Sequence, residues 1–174
     1  MHADTFKLGS NRAIPIIRRE DIATGDVPLT GTREFGGTLK SGALVRFVPI
    51  KKDSTRRTKL LLTYGALCGA ASIQTLHGLF TANDVEYAVM DELEGEETPF
   101  VRLDGAYTAN SKASVTGLSR NQRILLCHDI SQIVLYLHNL GFVVKVVSDK
   151  SIFVMKNNDS LVPVLANLEQ ARSV

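Results

Sequence analysis

A chain of 174 residues, 44% of them apolar, is long enough to bury a real core as one domain or two small lobes. Its net charge of +2 is close to neutral and gives no reason to expect nucleic acid or an anionic membrane as a partner. No charged start leads into an apolar h-region, and no apolar run reaches the roughly eighteen residues of a membrane span, so the expected protein is soluble and cytoplasmic.

In chain order, Met1 to Arg12 is polar and without pattern, which predicts a loose N-terminus over residues 1–13. From Val27 to Ile50 short apolar stretches alternate with glycines (Val27 to Thr30, Gly31 to Gly37, Thr38 to Gly42, Ala43 to Ile50), and three antiparallel strands are expected there. Ser54 can cap a helix that runs through Leu60, Leu61, Leu62, Ala66, Leu67 and Cys68 to about Ala70. Ile73 to Phe80 and Val85 to Met90 read as strands joined by Thr81-Ala-Asn-Asp84. The acidic run Glu94 to Glu97 reads as a solvated face, and Pro99 to Tyr107 as a short irregular helix.

Ser119-Arg-Asn-Gln122 is a capping-box pattern. The apolar residues behind it (Ile124, Leu125, Cys127, Ile130, Ile133, Val134, Leu137, Leu140) recur at helical spacing and predict a long helix ending at Gly141. Phe142 to Val147 is strand-like, Ser148-Asp-Lys turns, and two further short strands, Ile152 to Met155 and Leu161 to Leu165, should meet across Asn157-Asn-Asp-Ser160. The fold class is α+β. Cys68 and Cys127 both fall in apolar helical patterns and read as small core residues, with a reducing compartment implied. The histidines His2, His77, His128 and His138 lack metal-ligand spacing, and His128-Asp129 is read as a neighbour pair pointing different ways on a helix.

Tyr136-Leu-His-Asn-Leu-Gly-Phe-Val143 resembles the end of the long C-lobe helix of protein kinases. The family continues with His-Arg-Asp, Leu-Lys, two variable residues and Asn-Ile-Leu-Val; here the aligned residues are Val144-Lys145-Val146, Val147-Ser148 and Ser151-Ile-Phe-Val154. Where the family carries Asp-Phe-Gly, this chain has Asn167-Leu168-Glu169. Upstream, Ile14 to Ile22 resembles the segment before the first strand of tyrosine-kinase-like kinases, and Val89-Met90-Asp91-Glu-Leu-Glu-Gly95 resembles the strand, gatekeeper and hinge between the lobes, with Met90 as gatekeeper. Gly31-Thr-Arg-Glu-Phe-Gly-Gly37 stands where the nucleotide loop belongs but lacks its glycine spacing, and a glycine-rich hairpin turn is expected instead.

The resemblance implies a kinase-like N-lobe and hinge over 14–95, built as a five-stranded antiparallel sheet plus one helix, and a partial helical C-lobe over 96–174. It also implies which residues would carry chemistry, and they have changed. Phosphoryl transfer needs a carboxylate base and oxygen ligands for magnesium, whereas the equivalent positions hold Val146, Ser151 and Asn167. The preferred register of the third strand puts Arg46 in the adenine slot and Val48 at the lysine position. A three-residue shift would restore a lysine as Lys51, but with Pro49 in a strand paired on both sides. No acid occurs from Ser54 to Asn83, so the family's lysine–glutamate pair cannot form.

The expectation is a catalytically inactive domain that binds a protein partner or a second copy, without ATP, metal or other cofactor. The candidate surfaces are the first helix (Arg56, Arg57, Leu60, Tyr64) and the side of Ser119 to Leu140 that later C-lobe helices would cover. The alternative is a divergent nucleotide-binding kinase using Lys51, Asp149 and Asn167 in displaced roles.

Overall fold

The computed structural model describes residues 5–7, 13–25, 33–51, 54–67, 70, 72–94, 98–103, 118–157, 160–168 and 171–173. The chain divides into two compact units: Met1–Gly69 with Thr75–Glu92, and Ala70–Gln74 with Leu93–Val174. The stretch 70–74, expected within the first lobe, therefore belongs with the second, because Ile73 bridges in parallel to Leu165.

The first unit is built on a five-stranded antiparallel sheet. In chain order its strands are β3 (Ile22–Thr24), β4 (Phe35–Leu39), β5 (Leu44–Ile50), β6 (Leu76–Ala82) and β7 (Val85–Asp91), and their spatial order is β3-β4-β5-β7-β6. The late strand β7 thus lies between β5 and β6, opposite Arg46 through Met90 and opposite Leu79 through Ala88. Alternation along β5 sends Val45 and Phe47 to one face, where both are fully buried, and Arg46 and Val48 to the other. On the first face Phe47 stacks on Phe35 at 4.4 Å between ring centres and meets Phe80 edge-on at 5.4 Å, while Tyr87 completes the aromatic core. Helix α1 (Thr55–Leu67) follows β5, with the Arg57 amide donating to Ser54 Oγ at 3.1 Å as an N-cap.

Several local expectations change in this unit. The N-terminus is not patternless chain throughout: β1 (Thr5–Lys7) pairs antiparallel with β2 (Ala13–Pro15). Val27 to Thr30, expected as the first strand, lies outside the described residues, and the strand beside β4 is Ile22–Thr24. Gly36 and Gly37 are inside β4 rather than in a turn. Gly37 is required there, since a Cβ would come within 2.6 Å of the Thr24 carbonyl. The turn is Lys40 to Gly42, with Gly42 at φ 88°. Between β6 and β7 the two-residue turn Asn83-Asp84 takes φ of 48° and 63°, a left-handed pair suited to a twisted hairpin and tolerated by these short polar side chains.

In the second unit, β10 (Ile152–Asn157) and β11 (Ser160–Leu165) form the expected hairpin, and β8 (Phe100–Arg102) pairs with the other side of β10. The short helix expected at Pro99 to Tyr107 is therefore a strand as far as Arg102, and residues 104–110 lie outside the described ones. Helix α2 (Arg120–Asn139) starts at the predicted capping box: Ser119 Oγ accepts from the Gln122 amide and Gln122 Oε1 accepts from the Ser119 amide, at 3.2 and 2.9 Å. It ends before Gly141, whose φ is 80°. The strand expected over Phe142 to Val147 stops after two residues, β9 (Phe142–Val143), which pairs with β12 (Arg172–Ser173). A small core of Leu93, Phe153, Val164 and Ala166 lies on the sheet.

Candidate functional site

In the first unit the candidate positions meet on β5, β7 and α1. Arg46 stands directly opposite Met90 in the ladder, so the residue assigned to the adenine slot and the assigned gatekeeper are cross-strand neighbours. The Arg46 guanidinium is held by Glu92 in a forked pair, Nε to Oε2 at 3.1 Å and Nη2 to Oε1 at 2.7 Å, with Glu34 a further 3.7 Å from Nη1. Both carboxylates compensate its charge beside the buried Met90. Val48, at the lysine position of the preferred register, faces Ala88 and is half-buried. Lys51 is exposed beyond the end of β5.

The expected objection to the shifted register does not hold. Leu39 donates to the Ala43 carbonyl and Glu92 to the Leu44 carbonyl, so odd-numbered residues of β5 turn their backbone toward β4 and even-numbered ones toward β7. Pro49 would need its missing N–H only on the β4 side, and β4 pairs no further than Phe35 with Phe47. The proline costs no ladder bond.

Helix α1 carries no acid, yet it makes an ion pair with the sheet in the opposite polarity. Arg57 Nη2 donates to Glu86 Oε1 at 3.0 Å and Arg57 Nε to Glu86 Oε2 at 2.5 Å, with only 16% and 11% of the two side chains exposed. The pair expected from the resemblance needs an acid on the helix; here the helix carries the arginine and β7 the acid. The same geometry corrects the proposed interaction surface: Leu60 and Tyr64 are 1% exposed each, and Arg57 is committed to Glu86. These residues form the inward face of the helix. The side chain of Arg56 lies outside the described ones.

A second unforeseen cluster joins β6 to the end of β7. His77 Nε2 donates to Asp91 Oδ1 at 2.6 Å, and Asp91 Oδ2 accepts from the Thr75 amide at 2.7 Å. Burial raises the Asp91 carboxyl, but the hydrogen bonds from His77 and the Thr75 amide and the charge on His77 together outweigh it and hold the group below its ordinary value of 3.8. A pairing register placing His77 near Asp91 was the signal available, since Leu76 lies opposite Met90.

The remaining candidates lie in the second unit. Val146 is 58% exposed in an irregular segment and supplies neither donor nor acceptor. Ser151 is buried, and its hydroxyl is used locally: it donates to the Ser148 carbonyl at 2.9 Å and accepts from the Ser148 amide at 3.0 Å. Asn167 is exposed in a left-handed conformation at φ 58°, next to the buried Leu168. Asp149 is exposed in the turn before Ser151. Cys127, expected in the core, is an exposed free thiol, and Cys68 lies outside the described residues. His128 and Asp129, expected to diverge, contact one another at 3.1 Å.

Helix α2 buries only Leu126, Ile133 and Leu137, and leaves Ile124, Leu125, Leu135, Tyr136 and Leu140 between 46% and 61% exposed. Between α2, β11 and Ser72–Ile73 lies a cavity of about 550 Å³. Its walls are mainly apolar, with Asp129 the one charged side chain among the described residues that line it. Among the described residues no helix is long and apolar enough to cross a membrane, and no cluster of three or more metal-ligating side chains occurs. No protein-family model matches the chain, and no curated protein matches it either, so its candidate sites stand on their own geometry.

Proposed function

We propose that this chain is a catalytically inactive, kinase-like domain that works by binding another protein. The observation that carries the reading is the Arg46–Glu92 pair opposite Met90. In a kinase-like frame an adenine ring would have to displace a forked, charge-assisted pair whose partners would then be left in a partly buried site, at a cost of about 1–3 kcal/mol for each unsatisfied group. The antiparallel sheet of five strands with α1 between its third and fourth strands is compatible with that frame. Val146 at the base position supports the reading, as does the Ser151 hydroxyl, which is engaged with Ser148, while Asn167 keeps a neutral amide where the family has a carboxylate. The exposed apolar side chains of α2 supply the surface for a partner.

Thermal unfolding of the purified chain with rising Mg-ATP tests the inactive reading. A ligand that binds only the native state raises its stability, so the expected result is no saturable shift up to millimolar nucleotide. A saturable rise of several degrees would instead show nucleotide binding, and phosphotransfer activity lost in both Lys51→Ala and Asp149→Ala would establish the divergent nucleotide-binding kinase.

A further inference from the structure

We propose that the groove between β11 and α2 takes an extended peptide as an added strand, with a basic residue flanked by apolar ones. The backbone supplies the first argument. Leu165 donates its N–H to the Ser72 carbonyl at 2.9 Å and accepts at its C=O from the Gln74 amide at 3.0 Å, so both its polar groups turn away from β10. In a strand this orientation repeats every second residue, and β11 is the outer strand of its sheet. The Pro163 carbonyl and the N–H and C=O of Leu161 therefore turn outward along the same edge. The Ser72–Gln74 stretch occupies this edge only at Leu165, because the Ile73 amide bonds back to the Ala70 carbonyl at 3.1 Å and the chain turns away. Proline fits here since the outward position needs no donor from β11, and its absence limits pairing with another copy of the same edge.

The side chains supply the second argument. Leu161, Val162 and Pro163 of this strand, whose outward edge is unpaired at Leu161 and Pro163 among the described residues, line the cavity, which at about 550 Å³ has room for a few side chains of an extended segment. Ile73, Ile133, Val162 and Pro163 give it an apolar lining, and Tyr136 stands half-exposed on the α2 wall. Asp129 is the charged group at the wall, and its Oδ1 contacts His128 Nδ1 while Oδ2 lies outside that contact. An added strand would donate to the Pro163 and Leu161 carbonyls and accept from the Leu161 amide; its alternate side chains would enter the apolar cavity, and a lysine or arginine would reach Asp129. Main-chain bonds with side-chain pockets are how strand addition combines affinity with selectivity.

The inference goes beyond the inactive-scaffold reading and does not require it, so the nucleotide titration and the following test fail separately. Phage displaying random heptapeptides are selected on the immobilised full chain, and the enriched peptides are made synthetically for fluorescence anisotropy. The expected winners carry one lysine or arginine with apolar residues at alternating positions. Asp129→Asn should weaken them on the order of tenfold, the loss of one charge-assisted hydrogen bond, while a norleucine analogue of the same peptide should bind both proteins alike. Tyr136→Ala, a half-exposed position whose thermal midpoint should not move, should weaken both peptides. N-methylation of the peptide amides that face Pro163 and Leu161 should abolish binding. No enrichment over background, enriched peptides that bind both variants unchanged, or full tolerance of N-methylation at every position would each overturn the added strand.

Discussion

At the scale of single residues, the sequence was most legible where a side chain serves its own neighbours. Ser119 and Gln122 cap α2, Ser54 caps α1, and Gly141 ends α2 as read, because each acts through backbone three or fewer residues away. The long-range pairs were not legible: Arg46 with Glu92 and Arg57 with Glu86 join residues 46 and 29 positions apart, which depend on the sheet register. Arg57 and Glu86 are mostly withdrawn from water, so removing one leaves the other unpaired. Arg57→Ala should cost on the order of 3 kcal/mol in urea unfolding, whereas the apolar pair Arg57→Met with Glu86→Leu should cost much less, because neither charge remains. Equal losses in the single and double variants would show that the ion pair is not what holds α1 to β7. Asp91 gives a pH dependence of definite sign. Its folded value is lowered, so its contribution is present above 3.8 and fades as pH falls through the folded value. The stability gap between the unaltered chain and Asp91→Asn should be widest at pH 6 and close toward pH 2.5 in the same unfolding measurement.

At the scale of elements, local pattern gave the two helices, the β10–β11 hairpin and most strands of the larger sheet, since periodicity records which face is buried. It failed where pairing decides the outcome. Phe142 to Val147 has the residues of a strand, but its partner, Arg172–Ser173, is two residues long and the strand is no longer. Phe100 to Arg102 has little strand pattern and is drawn into the sheet by β10. Helix α2 carries more apolar side chains than its buried stripe uses, and this was visible in the sequence. Each such side chain is worth roughly 1.5–3 kcal/mol when fully covered, so the exposed set favours association. Light scattering over a dilution series should show a reversible oligomer, and Leu125→Glu with Leu135→Glu should return it to monomer, with the thermal midpoint unchanged at dilutions where both chains are monomeric. A monomer at high micromolar concentration before any substitution would remove α2 as a self-association surface.

At the scale of the whole molecule, the mixed α+β class followed from the order of elements and the five-stranded sheet was what the kinase resemblance implied, although its first strand is Ile22–Thr24 and not Val27 to Thr30; the division of the chain was not foreseen. Ala70–Gln74 joins the second unit through hydrogen bonds between Ser72, Gln74 and Leu165, which lies 93 residues after Ser72 and 91 after Gln74, and no local feature of the sequence announces such a contact. The position of β7 between β5 and β6 also sets an order of events during synthesis. β5 is complete at Ile50, but the edge it offers to β7 has no partner until Asp91 has been made, 41 residues later. At about 5–20 residues per second this is roughly 2–8 s, during which the apolar run Leu44 to Ile50 stands as an open edge on the nascent chain. The charges that frame it, Arg46 within the strand and Lys51 just beyond it, together with Pro49, then discourage that segment from pairing with another chain, a gatekeeping duty that ends once β7 arrives.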